Sequence, residues 1–179
     1  MKVSLLIWMT FFILNNTMQL DFGASKSGEN WLIINDGVMG GLSKGNIAYT
    51  SNSIKFLGSV SLANNGGFTS FKSPFGIYNL SDAKKIKIRY RSTGQGIAVT
   101  LETHRRFYRP YFKVYLAPTN SEWVSVELDI DQFMKYTLGR PTGGSITTKD
   151  LTLVQRVGFM TADKKEGPFE FEVDYLSIE

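Results

Sequence analysis

Arginines and aromatic rings are the side chains here best suited to chemistry. Arg89 and Arg91 sit two residues apart, which puts both guanidinium groups on one face of a strand. Further on, His104-Arg105-Arg106-Phe107-Tyr108-Arg109-Pro110-Tyr111 adds three arginines and three aromatic rings. Guanidinium groups hold carboxylates or phosphates in a bidentate fork, and rings stack on sugars. If the two segments neighbour each other, Arg89, Arg91, Arg109 and Tyr111 line one concave face suited to a carbohydrate or an acidic protein surface. The bland alternative is a solvated strand beside a mobile loop.

The other reactive side chains point less clearly to a site. His104 is the sole histidine. A serine hydrolase needs such a base beside an activated serine, yet no G-x-S-x-G elbow is present. Asp129-x-Asp131 could ligate calcium with backbone carbonyls, or end a strand and cap the turn that follows. Glu170, Glu172 and Asp174 alternate with apolar residues and read as an exposed strand face rather than a glycosidase pair. Nothing calls for a metal or cofactor, and no catalytic residue is assigned. The absence of cysteine rules out disulfides and thiolate chemistry.

Two glycine-rich segments are the other candidates. Asn35-Asp36-Gly37-Val38-Met39-Gly40-Gly41 and Asn64-Asn65-Gly66-Gly67-Phe68 suit neither a helix nor a plain strand. They make either one binding site or one shared turn system. As a site, Asn35, Asp36 and Asn65 supply polar contacts and Met39 an adaptable apolar one. As a turn system, Asp36 bonds backbone amides while Gly37, Gly40, Gly41, Gly66 and Gly67 allow positive φ or close packing.

The elements that must position these residues are strands. The chain has 179 residues, 13 Phe, 8 Tyr and 17 Gly, a mix that favours β structure with many turns. Ile86-Lys87-Ile88-Arg89-Tyr90-Arg91 alternates as a half-exposed strand does. Further strands are read at 54–56, 59–62, 68–71, 97–101, 111–116, 124–128, 157–159 and 169–178. In the last, Phe169, Phe171, Val173 and Tyr175 are expected to share the core face. Turns are expected at 92–96, 117–120, 140–144 and 166–168, and single helical turns at Asp131–Tyr136 and Thr148–Val154. Short strands with regular turns predict an all-β sandwich or barrel.

Residues 1–18 read as a leader: Lys2 is followed by a twelve-residue apolar run, Val3–Leu14, broken only by Ser4 and Thr10. That is too short for a membrane span, which needs ~20 residues, and fits a secretory signal. Periplasmic or secreted export is expected, with membrane association as the alternative and no stable span once the leader is removed. Residues 19–179 are expected to form one domain. The formal charge of +4 is mild, and no Lys/Arg run suggests a nucleic-acid partner.

Trp31-x3-Asn35-Asp36-Gly37-Val38-Met39-Gly40-Gly41-Leu42-Ser43 resembles the start of the complex I intermediate-associated protein domain. The likeness continues through Phe56-x-Gly58-x-Val60-Ser61-Leu62, Asn64–Phe68, Trp123-x-x-Val126-x-Leu128, Phe133, Gly158-Phe159-Met160 and Lys165-x-Gly167-Pro168-Phe169. It spans about residues 20–179. The resemblance implies a galactose-binding-like jelly-roll β-sandwich and a non-catalytic role as an assembly or chaperone-like accessory factor with a protein partner. A carbohydrate-binding module is the alternative, drawn from the fold class, the leader and the Arg/aromatic segment. The leader looks secretory rather than mitochondrial, a departure from the family's respiratory members.

Overall fold

A computed structural model describes residues 17–179, apart from the side chains of Val38 and Met39. The leader lies almost wholly outside the described residues, but Met18 already pairs with Ile178. The strands are β1 (Met18–Asp21), β2 (Leu32–Asn35), β3 (Lys44–Tyr49), β4 (Ile54–Val60), β5 (Thr69–Lys72), β6 (Lys85–Thr93), β7 (Ile97–Glu102), β8 (Tyr111–Leu116), β9 (Val124–Asp129), β10 (Met134–Thr137), β11 (Arg140–Ser145), β12 (Arg156–Thr161) and β13 (Gly167–Ile178). They form two antiparallel sheets. One has six strands in the order β3-β4-β13-β6-β9, with β1 also paired to β13. The other has seven, in the order β11-β10-β8-β7-β12-β5-β2.

Alternation along each strand explains the layering. Ile86, Ile88 and Tyr90 of β6 face inward from one sheet, and Ile97, Val99 and Leu101 of β7 from the other. Aromatic rings knit the layers: Phe159 of β12 meets Phe171 of β13 at 5.0 Å between centroids, and Phe56 of β4 meets Phe71 of β5 at 6.1 Å. The β6–β7 turn carries the chain from one sheet to the other through Gly94, whose φ is +81°. A side chain there would also meet the Pro168 carbonyl oxygen at 2.2 Å.

Several expectations change. Tyr175 does not share the face of Phe169, Phe171 and Val173, because the pairing of β13 with β6 shifts between Val173 and Tyr175. That bulge turns Tyr175 outward and sends Leu176 and Ile178 into the core. The expected turn at 140–144 is β11, the partner of β10. The helical turn expected at Asp131–Tyr136 is shorter, Ile130–Gln132, and gives way to β10. Asp129 ends β9 but makes no capping bond. The later turn is α1 (Thr148–Leu151), held by a capping box in which Thr147 accepts from the Asp150 amide at 3.2 Å and the Asp150 carboxylate accepts from the Thr147 amide at 3.0 Å. Among the described residues no helix is long and apolar enough to cross a membrane.

Candidate functional site

The two glycine segments meet in one clasp built on Asp36, which is 1% exposed. Its carboxylate accepts from the Ser43 amide at 3.1 Å, the Ser43 hydroxyl at 2.6 Å, the Gly67 amide at 2.7 Å and the Phe68 amide at 3.2 Å. Burial alone would raise its pKa, but these four donors outweigh burial and hold the carboxyl below its ordinary value. Asn35 is engaged in the same way: its Oδ1 accepts from the Gly45 amide at 3.0 Å and the Thr69 hydroxyl at 2.6 Å. Gly41 has no room for a side chain, since a Cβ would sit 2.3 Å from the Asp36 carboxyl. Asn65 takes a positive φ of 59° in the turn before Gly66. The side chain of Met39 lies outside the described residues. Asn35 and Asp36 therefore serve donors within the fold, and the clasp ties the β2–β3 connection to the β4–β5 connection.

Arg89, Arg91, Arg109 and Tyr111 do not share a face. β6 lies in the six-stranded sheet and β8 in the seven-stranded one, because the Gly94 turn sends the chain across the sandwich. Arg89 and Arg91 are occupied where they stand. Arg89 pairs with Asp174 at 2.6 Å and Arg91 with Glu172 at 2.6 Å, and both stack on the Trp123 ring at 4.5 and 5.0 Å. Glu172 is buried rather than exposed, and also accepts from the Ser53 hydroxyl. Arg109 lies in the loop between β7 and β8, and so does the exposed His104. Among the described residues no group of three or more His, Asp or Glu side chains could hold a metal.

Of the expected residues, Tyr111 alone stands on the outer face of the seven-stranded sheet, and there it has company. The register aligns Tyr136, Tyr111, Glu102 and Arg156 in one row, and Met134, Lys113, Thr100, Gly158 and Lys72 in the next. Along the middle of this face the outward side chains Ala98, Thr100 and Ser70 are short and buried, with Gly158 among them; Met160, in the row of Ala98 and Ser70, is the long one and is also buried. Longer ones rise on either side, including Tyr111, Lys113, Tyr115, Tyr136 and Lys72. The face is therefore a trough. A Cβ at Gly158 would lie 2.7 Å from Lys72 Cγ, so glycine is what lets Lys72 cross to its ion-pair partner Glu102. Arg156 closes one end, with its Nε donating to the Ser73 carbonyl at 2.7 Å and its guanidinium 4.3 Å over Phe75.

One polar group in the trough stands out. Lys113 Nζ lies 4.2 Å over the Tyr136 ring and has no hydrogen-bond acceptor or carboxylate partner among the described residues. Burial pushes its pKa down, only partly offset by the charge of Asp163. Beside it, burial pushes the Tyr111 phenol up to about 12, and the Tyr111 and Tyr136 rings lie 6.0 Å apart. The neighbouring Thr100 Oγ1 is buried with no partner. Ring faces beside an ammonium with free donors make a surface that can hold a polar, ring-shaped ligand. The signal for Lys113 and Tyr115 was present in the alternation Tyr111-Phe112-Lys113-Val114-Tyr115. Tyr136 and Lys72 carried no such signal, because only strand pairing brings them to this face.

The model of the complex I intermediate-associated protein 30 (CIA30) family matches residues 20–173. The chain belongs to that family. Among solved structures, this CIA30-family chain is similar to the family 11 carbohydrate-binding module of a cellulosomal cellulase of Clostridium thermocellum. The TM-score is 0.65 at 17% identity, covering 90% of this chain and 94% of that one. The same module in complex with a beta-1,3-1,4-mixed-linked tetrasaccharide gives a TM-score of 0.63 at 18% identity, covering 89% and 94%. A family 29 carbohydrate-binding module gives 0.54 at 15%, covering 90% and 91%. At these identities the likeness shows the fold, a galactose-binding-like jelly roll. No curated sequence matches the chain.

Proposed function

We propose that this chain is a non-catalytic, exported binding domain whose trough on the seven-stranded sheet holds a glycan chain. The observation that carries the reading is Lys113, a half-buried ammonium with unused donors set between tyrosine rings. Sugar hydroxyls and ring oxygens accept from an ammonium, and the C–H face of a pyranose packs on tyrosine. Burying Lys113 without an acceptor is unfavourable, and a ligand oxygen would relieve it. The similar family 11 module was solved with a bound tetrasaccharide, which supports the same ligand class here. The lone histidine is exposed on the β7–β8 loop and makes no side-chain hydrogen bond among the described residues. Export rests on the apolar leader.

Family membership favours a second reading, an accessory or assembly factor that binds a protein partner. A glycan array read beside a pull-down from the native membrane fraction separates the two. The glycan reading expects array binding that falls at least about tenfold in Lys113→Ala and Tyr136→Ala, the range expected when one or two hydrogen bonds to a charged donor are lost. An empty array with one protein reproducibly co-purifying would leave the assembly reading in its place.

A further inference from the structure

We propose that one end of the sandwich is a membrane-docking tip that seats on an anionic lipid surface. The row Tyr136, Tyr111, Glu102 and Arg156 marks that end. The segments that follow β5, β7 and β10 and the one that precedes β12 all emerge there. Five of the eleven large hydrophobic side chains exposed among the described residues lie on these segments: Ile77, Phe107, Tyr108, Leu138 and Leu153. Ile77 at 92% and Phe107 at 78% are the most exposed of the eleven.

Four basic side chains, Arg105, Arg106, Arg109 and Arg140, stand among them, and none is in an ion pair among the described residues. Arg105 rests 5.2 Å over Phe75, which fixes the β7–β8 loop beside the segment that follows β5. Arg106 donates to the Tyr108 hydroxyl at 2.9 Å. Residues 73–80, 103–110, 137–142 and 152–155 contain no Asp or Glu, and the acids next along these segments are Asp82 and Asp150, the latter held in the capping box with Thr147. The nearest acid in the end row, Glu102, is already held by Lys72 and Arg156.

The charge calls for an anionic partner, and the placement of the apolar groups selects a lipid surface. They stand on four separate segments: Phe107 and Tyr108, whose rings meet edge to face at 5.7 Å, on one, and Ile77, Leu138 and Leu153 on the other three. A protein would need a separate socket for each, whereas the headgroup region of a bilayer accepts all of them at once. Aromatic and aliphatic side chains enter the interface while arginines meet anionic headgroups. This surface adjoins the Arg156 end of the trough, and the proposal does not rest on the glycan reading.

The absence of cysteine allows a clean test on the full chain. Phe107→Cys, Leu138→Cys and, at the opposite end, Lys165→Cys are each labelled with an environment-sensitive fluorophore. Each is mixed with vesicles of phosphatidylcholine alone or with added phosphatidylglycerol. The proposal expects emission to rise at 107 and 138 but not at 165, and only with the anionic vesicles. Combining Arg105→Glu, Arg106→Glu and Arg109→Glu should weaken vesicle binding about a hundredfold, from ~1 kcal/mol per basic residue near such a surface. Silent tip labels on sedimenting protein would overturn the proposal, as would equal responses at all three sites. So would tip labels that respond to heparin or an acidic protein but not to the vesicles.

Discussion

Asp36→Asn tests whether the glycine segments form a structural clasp. The substitution keeps size and shape but removes the charge and one acceptor. If the new amide takes the position of Oδ1, it faces the Ser43 N–H, now a buried donor without a partner. That costs about 1–3 kcal/mol. The three bonds to Oδ2, from the Ser43 hydroxyl and the Gly67 and Phe68 amides, remain but lose their charge assistance. The opposite rotamer sets the amide against those three donors and is worse. The sum is about 3 kcal/mol, a large part of the ~5–15 kcal/mol by which domains are stable. With a urea slope of ~2 kcal/mol per molar, the midpoint should fall by about 1.5 M with the slope unchanged.

The pH dependence follows from the direction of the shift. Asp36 has a folded pKa below its ordinary 3.8, so its contribution is complete above the unfolded value and is lost as pH falls through the folded one. The gap between wild type and variant should therefore be full at neutral pH and close in strong acid. A midpoint shift under about 0.5 M, or a gap that persists unchanged in acid, would refute the clasp.

Other expectations concern neighbouring features. Gly41→Ala should destabilise by about 2 kcal/mol or more in the same assay, because its Cβ would stand 2.3 Å from the buried Asp36 carboxyl. Glu172→Gln should cost about 2 kcal/mol, since Arg91 at 2.6 Å and Lys55 at 3.6 Å would face a neutral amide. Despite burial, Ser53, Arg91 and Lys55 hold the Glu172 pKa below its ordinary 4.5, so that difference should also vanish as pH falls through the folded value. Tyrosinate absorbance should show a late-titrating phenol near pH 12 that disappears in Tyr111→Phe. Its raised pKa means the fold loses stability as pH climbs from the ordinary tyrosine value of 10 toward 12.

Most of the strands were legible because one buried face imposes alternation, as in Ile86–Arg91 and Tyr111–Leu116. The edge strands β2, β3 and β11, and the short β10 inside β11, are not legible, because Leu32 and Tyr49 are exposed and β11 is rich in glycine. The turn system was legible as one of two alternatives, since glycine beside Asn and Asp has few other uses. The bulge in β13 was not, because its cause is a change of register against β6 rather than anything local. The expected arginine face failed for a related reason. Spacing within a strand tells which residues share its face, while the partner of that face is set by which sheet each strand joins. Arg89 and Arg109 are only twenty residues apart in sequence, but Arg89 stands in the six-stranded sheet and Arg109 in a loop of the seven-stranded one.

The central claim is that ligand binding belongs to the outer face of the seven-stranded sheet. Amide chemical-shift mapping on the labelled protein, titrated with the strongest hit from the glycan array, tests it most directly. Shifts are expected at Ala98–Glu102, Tyr111–Tyr115, Met134–Tyr136 and Arg156–Met160, with Lys85–Arg91 and Glu170–Asp174 unmoved. Shifts centred on Arg89, Arg91 and Trp123, or none with any glycan, would contradict it.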